Sequence, residues 1–540
     1  MDVVDYIWLG VLAVFQGPVG FSVLDIQIPI TILMIFSGFL LGVVVGATPG
    51  LAGPMAMAIA LPILISVFGF SVEALLPVFG FLIGIMKGAT VGGAVPAILF
   101  NTPGTPDALL TTLDGYPMTQ NGQSGKALRI AHFSSASGDT FSDIVLFICA
   151  PFLAVLVESY LDFPEKTALI LVSLAFIASV IGKSVAKGLI AASLGLLFAY
   201  VGTGEDFTPR LTMGIPGLEN GFPIATAILG VMILGEVFKS IEDIWVERSR
   251  TGKITQVKVE KGRLNWSEIR QLFPYIRNSA LVGTCIGALP GVGSTLAATL
   301  GYSAGKKHHA NKGRPMGPQF GEGAPEGVAS TEAANSSVSG ANLIPVLSLG
   351  IPGNAAAVFL ILAADSITGF NPGPSVFKFS EETVNNELVI VFGIFTLMVI
   401  ANLFNWLLGR RIMGLMGTMI RVPKQVLLPI ILILTLTAIY VQEASISAMG
   451  FAFGFGLLGY FMRRLGISVL PFVIAFILAG SLEQTARQAF SATGGNPWFL
   501  FSSPLSIALM VAAVVVVVLF SRKARSAPTI SPMDDPRGKS

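Results

Sequence analysis

The chain of 540 residues is too hydrophobic to form a water-soluble domain. Hydrophobic residues make up 53% of it and charged residues only 12%, whereas charged residues make up about 25% of soluble domains. The net charge is +2, and no basic run is interleaved with aromatic residues, which argues against a nucleic-acid-binding protein. The composition therefore indicates a membrane protein.

Apolar runs recur along the chain. Examples lie at residues 28–45, 167–180, 388–408, 427–440 and 505–520. Each reaches or approaches the roughly 20 residues that a helix needs to cross the hydrocarbon core of a bilayer. We predict an all-α polytopic membrane protein with about 10–12 transmembrane helices.

Hydropathy and charge divide the chain into consecutive segments. They are an N-terminal segment (1–27), a first membrane repeat (28–238), a cytoplasmic linker (239–275), a second membrane repeat (276–482), a C-terminal membrane segment (483–520) and a cytoplasmic tail (521–540). The linker and the start of the tail are rich in Lys and Arg, which accumulate on the cytoplasmic side of membrane proteins. We therefore place both in the cytoplasm.

Residues 276–301 do not fit a simple alternation of faces. They are apolar, yet basic residues lie on both sides, at Arg277 and Lys306, and a Leu-Pro-Gly-Val-Gly sequence at 289–293 interrupts the run. Pro removes a helical hydrogen bond, and Gly lets the chain turn. We predict a re-entrant hairpin that enters and leaves the membrane on one face. One spanning helix that breaks the charge rule is the alternative.

The second membrane repeat resembles the first in sequence. Two blocks align in order: Gly42, Gly46, Ala47, Pro49 and Gly50 with Gly283, Gly287, Ala288, Pro290 and Gly291, and Pro96, Pro103 and Gly104 with Pro345, Pro352 and Gly353. The first copy follows an acidic segment and the second follows the basic linker. We therefore predict two inverted repeats, which in secondary transporters place broken helices around a substrate at the bilayer midplane.

The Pro-Gly breaks are the candidate binding elements. Each frees backbone N–H and C=O groups, which lipid does not tolerate unless they line a polar cavity. A helix that starts after a break suits a carboxylate, and the carbonyls before it suit a sodium ion. The candidate substrate- or ion-binding residues are Thr48, Pro49, Gly50, Asn101, Thr102, Pro103, Gly104, Thr105, Pro290, Gly291, Gly293, Ser294, Thr295, Ser348, Pro352, Gly353 and Asn354. The alternative is that these small residues only permit close helix packing.

Ionisable residues near the breaks are candidate charge partners, since such groups in membrane segments usually have a function. They are Lys87, which could meet substrate charge directly, Asp107 and Glu332. A solvated loop is the alternative for Glu332. The chain has no phosphate-binding loop motif, and its three histidines, expected in aqueous loops, form no zinc-binding pair. We expect neither an enzyme nor a cofactor, and no metal beyond sodium.

Four motifs together resemble the signature of the large transmembrane subunit of the tripartite tricarboxylate transporters, the TctA family. They lie at 46–50, 101–106, 287–291 and 350–354. The resemblance implies a multi-pass protein of the bacterial inner membrane that works with a small four-helix membrane subunit and a periplasmic solute-binding protein. It also implies uptake of citrate or another carboxylate, driven by an ion gradient that is usually sodium.

Other functions compete with this interpretation. A stand-alone sodium-coupled carboxylate transporter would contain similar broken helices. A membrane enzyme would need a convergent acid and base, and the chain offers no clear pair. A passive channel would lack coupling to a gradient. The expected partners are the two other subunits, the carboxylate substrate and membrane lipid, and the sequence leaves open whether the chain forms a homodimer. It also does not identify the carboxylate.

The predicted topology is testable by cysteine labelling. Single cysteines placed in residues 239–277 or in the tail should not react with a membrane-impermeant reagent in intact cells, because both segments are predicted to be cytoplasmic. They should react after the membrane is permeabilised. Labelling of either segment in intact cells would contradict the topology.

Overall fold

A computed structural model describes most of the chain. The described residues are 3–17, 19–23, 26–48, 51–181, 184–203, 208–215, 217–247, 262–311, 318–370, 372–379, 383–416 and 424–526. Helices account for most of them. The predicted sites Pro49 and Gly50, and most of the predicted tail, lie outside these ranges.

The helices follow one another with short connections. The first half of the chain contains α1 (Val3–Phe15), α2 (Ile30–Gly46), α3 (Gly53–Phe68), α4 (Val72–Phe100), α5 (Thr111–Gln120), α6 (Ser124–Tyr160), α7 (Phe163–Val180), α8 (Val185–Ala199), α9 (Ile224–Leu229) and α10 (Gly235–Glu247). The second half contains α11 (Trp266–Gly287), α12 (Ser294–Asn311), α13 (Pro325–Ser336), α14 (Val338–Ala341), α15 (Leu343–Leu349), α16 (Ala355–Thr368), α17 (Asn386–Phe404), α18 (Arg410–Met416), α19 (Lys424–Glu443), α20 (Ile446–Arg464), α21 (Leu470–Ala492) and α22 (Pro504–Ser526).

Smaller elements join or interrupt these helices. Short 3₁₀ turns lie at Pro106–Leu109, Pro374–Val376 and Phe499–Phe501, and π-helical turns at Gly230–Leu234 and Asn405–Gly409. Two antiparallel strand pairs are present, β1 (Val19–Val23) with β2 (Ile26–Pro29) and β3 (Gly202–Thr203) with β4 (Pro209–Arg210).

Within the described ranges, seven helical segments are long and apolar enough to cross a membrane. They are Val72–Phe100, Ser124–Tyr160, Phe163–Val180, Ile224–Ile244, Asn386–Met416, Ile446–Arg464 and Pro504–Ser521. Shorter apolar helices of 10–17 residues include α2, α3 and α16, which flank the predicted breaks. The predicted all-helical membrane class is confirmed.

All four predicted motifs fall between helices. The first separates α2 from α3, and the third separates α11 from α12. The other two follow helices that end in the left-handed conformation, at Asn101 with φ 53° and at Gly350 with φ 71°. A helix cannot continue through that conformation, so α4 ends at Asn101 and α15 ends at Gly350.

Helices α11 and α12 form a hairpin around the third motif. The Ser279 hydroxyl of α11 donates to the Gly301 carbonyl of α12 across 3.4 Å, and the chain reverses at residues 288–293. The hairpin is longer than the predicted 276–301, because an Asn265–Glu268 capping box starts α11 at Trp266. The predicted linker therefore ends inside a helix. Entry and exit on one membrane face stay a prediction.

Glycines let α2 approach α4 closely. Gly42 lies against the backbone of Ile85 and Gly46 against that of Ala89, so the two helices run parallel. In the second copy, Gly283 of α11 lies against Ala334, and Gly287 against Val338. Ile85 corresponds to Ala334, and Ala89 to Val338, at the same sequence offset that aligns Pro96 with Pro345. The sequence repeat is thus a repeat of helix contacts.

The long helix of the first copy, α4, runs opposite to its counterpart α13–α15. Phe79 near the start of α4 faces Val346 of α15. Val95 near its end belongs to the same hydrophobic cluster as Val328 of α13. Opposite directions are what inverted copies require, and the orientation of each copy in the membrane stays a prediction.

The histidine expectation is wrong for two of the three residues. His132 of α6 is buried, and its Nε2 lies 2.9 Å from the backbone carbonyl oxygen of Asn405, which accepts from it. His309 is buried in α12. Each ring has an apolar body that packs well inside a helical bundle, which the local sequence did not indicate.

The close approach of α2 and α4 predicts opposite effects for two Gly→Ala substitutions. A methyl group at Gly88 of α4 would overlap the Phe39 carbonyl of α2, whereas Gly454 of α20 has open space. Gly88→Ala should destabilise the protein by about 1–3 kcal/mol through overpacking. Gly454→Ala should be neutral or stabilise it by up to about 1 kcal/mol, since Ala is the better helix former. Thermal unfolding in detergent measures both, and equal effects would contradict the close approach.

Candidate functional site

A cavity of about 240 Å³ lies where all four breaks meet. The first copy contributes residues 52–54 and 105–107 to its wall, and the second copy contributes 293–294 and 354–356. Parts of α4 and of the α13–α15 segment complete most of the wall. Residues of both copies therefore line one cavity, and its role in binding substrate stays a prediction.

Two helices begin at the wall of this cavity. Helix α12 begins at Ser294 and α16 at Ala355, and both residues line the cavity. The Asn354 side chain caps α16 by accepting from the Ala357 N–H across 2.9 Å. Such N-termini favour anions, because the unpaired donors and the helix dipole both attract negative charge.

One backbone hydrogen bond joins the two breaks of the second copy. The Gly291 N–H donates to the Gly353 carbonyl across 2.8 Å. Gly291 has φ 78°, and a side chain there would overlap Ile177. Only glycine adopts this conformation readily and leaves room for the neighbouring helix. Pro290 and Pro352 lie beside the two bonded residues, so these four predicted positions shape the breaks.

Five predicted site residues line the cavity directly. They are Thr105, Asp107, Gly293, Ser294 and Asn354. A sixth, Thr295 of α12, donates its hydroxyl to Asp107 Oδ1 across 2.8 Å and so links the copies. Pro103 and Gly104 line an adjoining cavity of about 450 Å³, to which Thr105 also belongs.

Other predicted site residues satisfy backbone groups of their own helices instead. The hydroxyls of Thr48 and Ser348 donate to carbonyls four residues earlier, at Val44 and Ile344. Asn101 ends α4, and the Thr102 N–H donates to the Pro96 carbonyl across 3.2 Å. Hydroxyl groups commonly bond this way in helices, so their presence near a break does not by itself indicate a ligand.

Lys87 faces two carboxylates inside the protein. Its Nζ lies 2.9 Å from Asp143 Oδ2 and 3.3 Å from Asp139 Oδ1, and its side chain is fully buried. Asn402 of α17 donates to Asp143 across 2.6 Å, and Ser339 donates to Asp139. The structure therefore places the Lys87 ammonium against two aspartates, where the sequence had predicted that it could meet substrate charge. A buried ammonium needs carboxylate partners, and here Asp139 and Asp143 fill that role.

Asp139 and Asp143 are buried partners of Lys87 that the sequence did not single out. Both lie on α6, one helical turn apart, with Ser142 and Ile144 beside them, in the stretch that leads into an apolar run. Two acidic residues four positions apart lie on one face of a helix, and this spacing in a membrane segment could have marked them as functional candidates. The sequence did not show which cation they meet.

Glu332 is fully buried on α13, so the solvated-loop interpretation is wrong for it. The Thr111 hydroxyl of α5 donates to its carboxylate. Nearby, Asp114 of α5 accepts from the backbone N–H groups of Gly321, Gly323 and Ala324. Both contacts hold α5 of the first copy against the start of α13 in the second.

Comparison with known protein families decides the assignment. The sequence model described as "Tripartite tricarboxylate transporter TctA family" matches residues 32–474. The matched range contains all four breaks and nearly all of both copies. The chain belongs to the TctA family. This TctA chain is accordingly a multi-pass inner-membrane component of a tripartite tricarboxylate transporter.

Two relatives of this TctA chain come from Agrobacterium vitis. One, described as an uncharacterised 52.8 kDa protein in the TAR-I ttuC' 3' region, is 31% identical over 91% of this chain and 93% of its own length. The other, an uncharacterised protein in the TAR-II ttuC' 3' region, is 31% identical over 44% of this chain and 93% of its own length. No solved structure matches the chain.

The buried charge cluster of this TctA protein predicts a strong stability effect. Lys87→Met leaves Asp139 and Asp143 without their cation. It should destabilise the protein by about 3–5 kcal/mol, as expected when one partner of a buried ion pair is removed.

Unfolding by denaturing detergent in mixed micelles measures this loss. The triple variant Lys87→Met, Asp139→Asn, Asp143→Asn should recover part of it, because the unpaired charges are gone. A single variant as stable as the parent protein would contradict the contacts around Lys87.

Proposed function

We propose that this TctA protein takes up a tricarboxylate or a related organic acid by secondary active transport, coupled to sodium. The observation that carries the proposal is the meeting of all four breaks at one cavity, with the N-termini of α12 and α16 at its wall. Helix N-termini bind carboxylates without a positively charged side chain.

Charged side chains near the cavity support binding through the backbone. In the adjoining cavity, Arg463 donates to Glu236 across 2.8 Å and to the carbonyls of Val231 and Met232. Lys87 is held by its two aspartates. Both cations have partners already, so the N–H groups at the breaks remain the suitable donors.

Sodium suits the composition of the breaks. They contain hydroxyls, carboxamides and backbone carbonyls, which are the hard oxygen ligands that such cations prefer. Within the described residues, no group of three or more His, Cys, Asp or Glu residues could hold a metal ion. A site built mainly from hydroxyl, carboxamide and carbonyl oxygens, with few carboxylates, is therefore the arrangement that these residues offer.

Partner subunits follow from membership of a tripartite family. We propose a small four-helix membrane subunit and a periplasmic binding protein that delivers the substrate. A stand-alone transporter is the alternative. Assembly with a binding protein would separate the two, because a stand-alone transporter takes up its substrate without one.

The proposal is tested by uptake into vesicles that contain the complete transporter, with radiolabelled citrate and a panel of other carboxylates. Uptake should require an inward sodium gradient at fixed pH. Gly291→Leu should lower it at least about tenfold, since the side chain would strain the break and displace the helix start that faces the substrate.

Gly494→Leu is the matched control, because Gly494 also has a positive φ, 71°, but no atoms nearby. It should reduce uptake much less. Full uptake with potassium in place of sodium and only a proton gradient present would refute sodium coupling. Parental uptake by Gly291→Leu would refute the role of the breaks.

A further inference from the structure

One face of the α13–α15 segment presents unpaired polar groups to the cavity. Asn335 and Asn342 both line it and are 2% and 1% exposed, and neither carboxamide oxygen nor nitrogen has a hydrogen-bond partner. Thr105 on the opposite copy is 6% exposed, and its hydroxyl is also unpaired. Buried polar groups normally have partners, so three unpaired side chains at one cavity indicate a ligand.

The charges around the cavity indicate which ligand. Asp107 is the one ionisable side chain among the described residues that line it. Behind the wall, Asp139 and Asp143 are paired with Lys87, and Glu332 accepts from Thr111. An ionised Asp107 thus places a negative charge at the cavity wall itself. A carboxylate substrate would be repelled unless a cation entered with it.

We propose that Asp107, Thr105, Asn335 and Asn342 form a sodium site that fills before the substrate binds. The four side chains offer one carboxylate, one hydroxyl and two carboxamide oxygens, a ligand set that suits a hard cation. They come from both copies, so the bound ion holds the two halves of the cavity together. This inference rests on the proposed carboxylate transport, and it specifies the ion site and the order of binding.

The bound sodium has two effects on the substrate. It offsets the charge of Asp107, and it fixes the carboxamide oxygens so that the N–H groups of α12 and α16 face an anion in the same cavity. Substrate affinity therefore depends on sodium, and by linkage sodium affinity depends equally on substrate. The alternative is that the carboxamide nitrogens of Asn335 and Asn342 donate directly to a substrate carboxylate. The experiment below distinguishes this alternative from sodium binding.

The test uses the purified full-length protein in detergent, without substrate. The unfolding midpoint is measured against the concentration of NaCl, with choline chloride and KCl at equal ionic strength as references. Sodium should raise the midpoint of the parent protein, because a ligand that binds only the folded state stabilises it. Asn342→Leu and Thr105→Val should weaken the apparent sodium affinity at least about tenfold.

Two further variants control for general damage. Asn342→Asp keeps an oxygen ligand and should retain the sodium response. Thr226→Val is the matched control for Thr105→Val, because Thr226 also has a buried hydroxyl without a partner but lies outside the cavity wall. It should respond to sodium as the parent protein does.

The results separate this site from the proposed function. If Asn342→Leu and Thr105→Val keep the sodium response and lose only citrate binding, the site holds substrate and the sodium assignment is overturned. It is equally overturned if the parent protein shows no sodium-specific shift while vesicles still take up carboxylate. A sodium response lost in both variants supports the site even where no carboxylate of the panel is transported, and only the transport proposal then fails.

Discussion

Backbone groups freed at a helix break have no water to bind inside a bilayer, so each break must be enclosed by protein. The structure meets this constraint by bringing the breaks together. Glycines allow α2 to approach α4, and α11 to approach the α13–α14 segment, closely enough that the ends of the short helices reach a common point. The cavity is what remains between four interrupted segments that shield one another. The packing that shields the broken helices from lipid thus also leaves the cavity between them.

The same enclosure determines how charge is distributed. The ammonium of Lys87 is neutralised inside the wall, and Arg463 is held by Glu236 and by backbone carbonyls. The cavity itself is left with one carboxylate and several neutral oxygens and amides. In the proposed function, such a cavity binds an anion at helix N-termini together with a cation that balances it. The coupling that we propose between the two ligands would then result from electrostatics alone.

The breaks could be read from the sequence because Pro and Gly have fixed effects on the backbone. The same holds for the repeat, since Gly42 and Gly283 occupy equivalent helix contacts. Side-chain partners could not be read in this way. Lys87 meets Asp139 and Asp143 only because α4 packs against α6, and Ser348 bonds to its own helix although it lies beside a break. Asn335 and Asn342 were missed because their importance comes from burial without a partner, which is a property of the folded chain.

The contact between Lys87 and its two aspartates also has an evolutionary consequence. Loss of the ammonium alone would strand two carboxylates in a dry interior, and loss of one aspartate alone would alter the charge beside the cavity. Neither intermediate is easily inherited. Positions 87, 139 and 143 should therefore change together or not at all as descendants of this chain diverge.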